Sequence, residues 1–478
     1  MTGSHFAAVL LAGSLMVAVA QGGASAVAPR RADYRFDRKI SRSVLERYLS
    51  RSISMEGLLN GRGDFEDNAR MLKSTGAKFV GRALCLWGGE ADLPRNLERA
   101  CSLIPRLHAA DPDMILQACV FEIVTRQVEQ IPVPESAFQA FGMPAERRNF
   151  RYTDMIYTDA KRRDWGPDAS VPDVSRTETK LWFYFLSRSF IDIGIEAIHY
   201  GQVELMGRND PDRSHWSDLL SRVRAYAAAK ARRHTLLCDG HVPSGGLVRD
   251  GRLLLDFHSF PLRIKEAPEL AVGAVRTAGA GPSVPPSTGE PVIPAKRRGK
   301  TETTRQNGDP RLRSGPADAL SMATQATAAP TDRIPAPPAG PQPAILQLGF
   351  SDGIYGKSKG GLTPSGWRCE HLPYLVEIDN WGASRQPGRA GAGGIWVWGY
   401  DEITWFAHQP NEYRAQWLRY AWDWVRRTDP SGTLEMPGSR TMRSPLDRKS
   451  WYYANDPGAA VPEGLGDEQA IKAIWQRT

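Results

Sequence analysis

Four short apolar runs in this chain each end in polar residues spaced two positions apart. The runs are AIHYGQVEL, HTLLCDGHV, RLLLDFHSF and PYLVEIDNWG, and their polar pairs are Gln202 with Glu204, Asp239 with His241, Asp256 with His258, and Glu377 with Asp379. Residues i and i+2 of a strand face the same side, so each pair is predicted to project together from a strand end. In a barrel of parallel strands these ends converge on one mouth, where barrel enzymes carry their active sites.

Apolar strands alternate with helical patterns along most of the chain, which indicates a parallel sheet. Strands are predicted at 78–87, 114–124, 197–205, 234–242, 253–260, 374–381 and 394–400, with an eighth at 345–350 or 433–436. Helices are predicted at 93–109, 179–193, 215–233 and 411–427, the last capped by Asn411. The number of units predicts a (β/α)8 TIM-type barrel. The alternative is an open doubly wound sheet, although no GxGxxG follows any strand.

A long segment inside this pattern has the composition of a disordered insert. Between Phe260 and Phe350 there is no aromatic residue, and the stretch is rich in Pro, Ala, Gly, Ser and Thr. Such a segment buries too little apolar surface to offset its ordering entropy. We therefore divide the chain into a signal peptide (1–26), a first barrel part (27–264), a disordered insert (265–343) and a second barrel part (344–478).

The first residues predict export. The apolar run FAAVLLAGSLMVAVA is too short to span a bilayer and precedes Ala24, Ser25 and Ala26, a small-x-small cleavage pattern. The expected location is secreted or periplasmic; the alternative is a buried N-terminal helix, because no Lys or Arg precedes the run. No later stretch reaches about 18 uninterrupted apolar residues, so no membrane association is expected after signal removal.

Charge and cysteine content argue against two classes of protein, nucleic-acid-binding proteins and small disulfide-stabilised proteins. The formal net charge is +8, but the arginines are scattered without a basic stripe beside stacking aromatics, so no nucleic-acid partner is expected. The five cysteines do not form a disulfide framework. Cys85 and Cys119 lie in apolar runs typical of core thiols. A bridge between them becomes geometrically possible if their strands are neighbours.

The predicted mouth is rich in acids and tryptophans, a mixture suited to carbohydrate chemistry. Carboxylates supply acid, base or nucleophile, and indole faces stack on sugar rings. The candidate set comprises Glu122, His199, Gln202, Glu204, Asp239, His241, Asp256, His258, Glu377, Asp379, Asn380, Trp381, Trp398, Asp401 and Glu402.

With GQVEL and VEIDNWG at its strand ends, the chain resembles secreted (β/α)8 glycoside hydrolases and uncharacterised relatives of that superfamily. The resemblance implies an acid/base and a nucleophile on strand ends across the barrel from one another, which are Glu204 and Glu377 here. The remaining members of the set are then substrate-binding residues. The chain departs from the commonest pattern because Val203, rather than Asn, precedes Glu204.

Two other functions are compatible with the same residues. One is a barrel that binds carbohydrate without turnover. The other is a metal-dependent hydrolase whose ligands come from His199, Asp239, His241, Asp256 and His258, since imidazole and carboxylate suit zinc. No HExxH motif is present, and the sequence predicts neither a metal site nor another cofactor.

Overall fold

Eight parallel strands pair in chain order and close into a barrel. They are β1 (Ser52–Met55), β2 (Phe79–Leu84), β3 (Ile115–Cys119), β4 (Ala197–Gln202), β5 (Leu237–His241), β6 (His258–Pro261), β7 (Tyr374–Glu377) and β8 (Gly432–Thr441). Strand β8 pairs with β7 and also with β1, where Met436 lies opposite Ile53. The prediction of a (β/α)8 barrel is therefore confirmed.

The structure is a computed structural model, and it describes residues 33–159, 165–166, 168–265, 347–349, 358–379, 402–442 and 449–477. The described residues from Tyr34 onward form one compact unit. The α-helices are α1 (Arg42–Leu49), α2 (Phe65–Thr75), α3 (Leu93–Ala110), α4 (Glu135–Ala140), α5 (Thr177–Asp192), α6 (Val203–Met206), α7 (Ser214–Lys230), α8 (Glu402–Ala407), α9 (Asn411–Thr428) and α10 (Glu468–Gln476). None of these helices is long and apolar enough to cross a membrane.

The helices alternate with the strands as the sequence pattern predicts. Helix α2 begins where the Asp64 side chain accepts a hydrogen bond from the Asp67 amide, and it ends at Gly76 in the left-handed conformation. All four predicted helices are present, as α3, α5, α7 and α9. Asn411 is the first residue of α9 rather than its cap, since Pro410 occupies the N-cap. Residues 242–257 join β5 to β6 without an α-helix.

Several strand predictions need correction. The first barrel strand is Ser52–Met55, which precedes all the predicted strands. The predicted strand 253–260 is correct only at 258–260, because Arg252–Leu253 pairs outside the barrel and β6 begins at His258. Of the two options for an eighth strand, the one at 433–436 lies within β8. The other falls partly on Gln347–Gly349, which pairs antiparallel with Arg263–Lys265, and 394–400 lies outside the described residues.

The amino-terminal end of the barrel is closed by an apolar layer. Residues near the starts of successive strands, together with helix α1, form one buried cluster: Phe79, Ile115, Ala197, Leu237, Phe257, Leu375, Val44, Leu45, Tyr48 and Leu49. The Tyr48 hydroxyl donates to the carbonyl oxygens of Tyr34 and Asp113, each at 2.8 Å. This closed end leaves the carboxyl ends of the strands as the place for a site.

Candidate functional site

Beyond the apolar layer the barrel interior becomes polar, with Asp239 of β5 at its centre. The Asp239 Oδ2 atom lies 2.8 Å from His199 Nδ1 on β4, and Asp239 Oδ1 accepts a hydrogen bond of 2.7 Å from Gln117 Nε2 on β3. The Ser259 hydroxyl on β6 also donates to Asp239 Oδ2. Four neighbouring strands thus contribute to one network.

The imidazole of His199 is oriented by this network and stays neutral. Burial lowers the pKa of His199 and outweighs the opposing charge of Asp239. With Nδ1 donating to Asp239, Nε2 is left as an acceptor, and it has no hydrogen-bond partner among the described residues.

A second cluster surrounds Glu377, the last residue of β7. Arg82 of β2 binds this carboxylate through two bonds, Nε to Oε2 at 2.8 Å and Nη2 to Oε1 at 2.7 Å. Arg440 of β8 donates from Nη1 to Glu377 Oε2 at 2.9 Å, and His241 Nε2 lies 2.6 Å from Oε1. Two guanidinium groups and one imidazole therefore share a single carboxylate.

These contacts fix the charge of Glu377. Burial alone would raise the pKa of Glu377, but the Arg82 charge and the hydrogen bond with His241 hold it well below its usual range. Burial likewise opposes the charged form of His241, yet the hydrogen bond and charge of Glu377 raise the pKa of His241 overall. Glu377 is therefore ionised at neutral pH.

Arg82 reaches Glu377 because β2 is distorted at this residue. Arg82 has a φ of +55°, in the left-handed region of the Ramachandran plot. The pairing register of β2 with β3 shifts between Val80 and Leu84. The Arg82 amide consequently donates to Gln117 Oε1 at 3.0 Å rather than to a strand carbonyl. Backbone strain of this kind persists only where the surrounding contacts hold the residue in that conformation.

Arg440 connects Glu377 to Asp379. Its Nη2 atom donates to Asp379 Oδ1 at 2.9 Å, and its Nη1 atom also contacts the Ser54 hydroxyl at 3.1 Å. The Arg440 side chain is completely buried. Asp379, which follows β7, is thus brought to the same cluster as Glu377.

A third carboxyl, Glu435, lies beside Glu377 in the barrel interior. The two residues are paired in register on β8 and β7, and Ser52 donates to Glu435 Oε1 at 2.7 Å. Burial, followed by the negative charge of Glu377, raises the pKa of Glu435 to about 7. Gly81 on β2 leaves room for this carboxyl, since a Cβ there would overlap Glu435 Oε1.

A separate pair, Glu122 and Gln202, lies at the ends of β3 and β4. Glu122 accepts from the Gln202 side chain at 2.8 Å and from its backbone amide at 3.0 Å. Gly201, with φ of +41°, allows this approach because a Cβ there would collide with Glu122 Oε2. Nearby, Trp87 packs edge-on against Phe121 and Trp165 and is the large apolar side chain most exposed in the described part of the chain.

Other predicted site residues lie elsewhere. Glu204 is the second residue of α6, directly after β4, and its half-buried carboxylate accepts from the Ser244 hydroxyl and amide. Asp256 precedes β6 and binds Arg224 Nη2 and the Cys238 amide, so it is not at a strand carboxyl end.

His258 lies apart from the two clusters, whereas Glu402 lies beside Asp379, because the amide of the next residue, Ile403, donates to the Asp379 carbonyl oxygen at 3.0 Å. His258 begins β6, next to the inward-facing Ser259, so its ring faces the opposite side of the strand. Burial, aided by Lys359, lowers the pKa of His258 to about 3. Glu402 is buried at the start of α8. The predicted residues Asn380, Trp381, Trp398 and Asp401 lie outside the described residues.

Three residues of the cluster were not predicted from the sequence: Arg82, Arg440 and Glu435. The signal for Arg82 was a single charge inside the apolar run FVGRALCLW, and Arg440 lies at the end of a strand rich in small residues. A charged residue in a buried strand requires a partner, which is the property that would have identified both arginines. Within the described residues, no group of three His, Cys, Asp or Glu side chains is arranged to hold a metal ion.

Comparisons with known proteins find partial similarity to solved barrel structures. Trehalulose synthase MutB from Pseudomonas mesoacidophila MX-45 is 13% identical, with 40% of this chain and 43% of that chain covered and a TM-score of 0.24. A GH36 alpha-galactosidase from Geobacillus stearothermophilus gives 16% identity, 42% and 29% coverage, and a TM-score of 0.24. The Nostoc punctiforme debranching enzyme gives 11% identity, 45% and 46% coverage, and a TM-score of 0.26.

The chain spans less than half the length of each of these three enzymes. Similarity of this extent supports no transfer of activity, and the barrel itself is established by its strand pairing. No protein-family model matches the chain, and no curated protein sequence matches it.

Proposed function

We propose that this chain is a secreted carbohydrate-active barrel protein that cleaves glycosidic bonds with Glu204 and Glu377. The observation that carries the proposal is the ionised Glu377 at the carboxyl end of β7, held by Arg82, Arg440 and His241. Glycoside hydrolysis passes through a cationic, oxocarbenium-like transition state, so a carboxylate that is ionised at neutral pH near the strand ends is the group this reaction needs.

Glu204 is the proposed proton donor and acceptor. It directly follows β4, so β5 and β6 separate its strand from β7 on one side of the barrel. Its carboxylate is bonded only to the Ser244 amide and hydroxyl, and no cation is paired with it in the described residues. Proton transfer is assigned to Glu204 for this reason, whereas Glu377 is held by two arginines.

Glu377 acts in this proposal as the nucleophile or as the charge that stabilises the transition state. Arg82 and Arg440 position its two oxygens, while His199, oriented by Asp239, offers an unpartnered Nε2 as an acceptor for a sugar hydroxyl. The Glu122–Gln202 pair and Trp87 supply further polar and aromatic surface near the same strand ends.

One observation favours a second function, carbohydrate binding without turnover. Glu377 is only 1% exposed, and within the described residues its side-chain hydrogen bonds go to Arg82, Arg440 and His241, which limits its access to an anomeric carbon. The same contacts are compatible with a barrel that binds sugar at its mouth and uses Glu377 only to neutralise the buried arginines.

The test is a panel of aryl glycosides and polysaccharides assayed with the wild type, Glu204→Gln, Glu377→Gln and the exposed control Glu463→Gln, each with and without a chelator. For a glycosidase, Glu204→Gln and Glu377→Gln each reduce kcat by about 10²-fold or more, because an amide neither attacks nor donates the proton. Glu463→Gln leaves turnover unchanged.

The rival functions give different results in the same panel. A binding-only barrel shows no turnover in the wild type but measurable glycan affinity. Hydrolysis that disappears with chelator and survives both site replacements contradicts the proposal. Because Glu377→Gln also weakens the fold, turnover is compared at a temperature where circular dichroism shows every variant folded.

A further inference from the structure

Two cysteines meet at the mouth end of neighbouring barrel strands. Cys119 is the last residue of β3, and Cys85 directly follows β2. Leu84 pairs with Ala118 in the parallel β2–β3 register, so Cys85 and Cys119 are the next two residues across from one another. Their Sγ atoms lie 2.8 Å apart. Strand spacing of about 4.8 Å falls within the Cα separation that a disulfide requires.

The two thiols differ in accessibility, which sets an order for their reaction. Cys85 is partly exposed, and its thiol donates to the Arg82 carbonyl oxygen at 3.1 Å. Cys119 is buried, and burial raises the pKa of its thiol well above the usual value. A reagent in solvent therefore reaches Cys85 first, while Cys119 is positioned to react only with a sulfur already at Cys85.

The other cysteines have no such partner in the described residues. Cys101 is exposed on α3, Cys238 is buried within β5, and Cys369 is partly exposed, with its Sγ atom 4.0 Å from the Gly361 carbonyl oxygen. The Cys85–Cys119 pair is thus the one place where the described chain brings two thiols together.

We propose that Cys85 and Cys119 form a redox-responsive disulfide across the ends of β2 and β3. Cys85 thiolate attacks one sulfur of a small disulfide such as oxidised glutathione, forming a mixed disulfide and releasing one glutathione thiolate. Cys119 then loses its proton to solvent and attacks the Cys85 sulfur, which releases the second glutathione. Two protein thiols are oxidised to one disulfide, and one small disulfide is reduced to two thiols.

The bridge forms directly beside the arginine that binds Glu377. Oxidation removes the Cys85 thiol proton that bonds to the Arg82 carbonyl and replaces that contact with a covalent tie to β3. Closing the loop of residues 86–118 restricts the unfolded chain, so the oxidised protein is expected to have the higher Tm. This inference is independent of the proposed carbohydrate function.

Peptide mapping of the full chain tests the proposal. The protein is incubated with oxidised or reduced glutathione, blocked with N-ethylmaleimide and digested with trypsin without reductant. Cys85 and Cys119 then lie on separate peptides, 83–95 and 107–126, so a bridge joins them at a mass about 2 Da below that of the two thiol peptides combined. Recovery of both cysteines as maleimide adducts after oxidation, or linkage of either to another cysteine, overturns the proposal.

Single replacements test the order of attack. Cys119→Ser is expected to accumulate glutathione on Cys85, since the thiol that would displace it is missing. Cys85→Ser is expected to leave Cys119 unmodified, and Cys101→Ser, as the control, forms the bridge as the wild type does. Glutathione retained on Cys85 in the folded wild type would show that Cys119 does not resolve it, which also overturns the proposal.

Discussion

Glu435 lies directly opposite Glu377 on the neighbouring strand, and the pKa values of these two buried carboxyls are displaced in opposite directions. The cations Arg82 and Arg440 contact Glu377, whereas the Glu435 carboxyl accepts a hydrogen bond only from the Ser52 hydroxyl within the described residues. The proton of the pair therefore resides on Glu435, and Glu377 carries the charge.

The first prediction concerns pH and Glu435. Its folded pKa, about 7, is above the usual 4.5, so the native state holds a proton that the unfolded chain has lost between these values. Stability must fall as pH rises through this window, by roughly 3 kcal/mol at most. Glu435→Gln removes this fall because an amide does not ionise.

Urea unfolding at several pH values between 4.5 and 8 measures the effect. The stability of Glu435→Gln relative to wild type should increase across the window, while the exposed control Glu463→Gln runs parallel to wild type. Parallel profiles for Glu435→Gln and wild type would show that Glu435 does not titrate there.

The second prediction concerns the ion pairs of Glu377. Glu377→Gln leaves Arg82 and Arg440 without a neutralising charge in the barrel interior, and such losses cost about 3–5 kcal/mol. Glu204→Gln is the matched control, since its half-buried carboxylate contacts only Ser244 and should cost about 1 kcal/mol. Equal unfolding free energies for the two variants would contradict the charge assignment.

The fold was predictable from the sequence because seven of the eight strands overlap short apolar runs, and these runs alternate with polar or helical sequence. Strand β1 was missed for a physical reason: SISM is only four residues long, and Ser52 and Ser54 face the polar interior, where they bond to Glu435 and Arg440. A strand whose inward positions are hydroxyls lacks the apolar signal.

The site was predictable only in part. The spacing of polar residues two positions apart predicted that Glu377 and Asp379 lie in one cluster and that Asp239 and His241 lie on one strand. Both predictions hold because the alternation of side chains along a strand is a local property. The arginines were not predictable in this way, since their pairing with Glu377 depends on strands far away in sequence. Asp256 was misassigned because an apolar run alone does not reveal where hydrogen-bonded pairing begins.

A third prediction tests the close approach at the end of β4. Gly201→Ala should displace Glu122, because the new Cβ would overlap Oε2, in addition to the strain of a positive φ. Gly76→Ala is a matched control: it also has positive φ, at +79°, but nothing lies within 4 Å of the added Cβ. Gly201→Ala should be less stable than Gly76→Ala by about 1–3 kcal/mol in chemical unfolding. Equal losses would mean that Glu122 is not held where the structure has it.

The last prediction concerns the long insert. The insert predicted at 265–343 lies between two paired strands, Arg263–Lys265 and Gln347–Gly349, and overlaps the first of them at Lys265. Lys265 lies opposite Gln347, so the residues that flank 266–346 are adjacent. Replacing residues 266–346 with about four Gly and Ser residues, a normal hairpin loop length, therefore requires no movement of the barrel. Loop closure costs about 0.6 kcal/mol less for each halving of length, so the shortened chain should unfold at a Tm no lower than that of wild type.

Calorimetry of the wild type and the shortened protein measures this difference in Tm, with a variant carrying a Gly/Ser segment of the original length as control. A large loss of Tm in both variants would show that the natural segment contributes packing to the barrel, whereas a loss confined to the short variant would show that the ends are not adjacent.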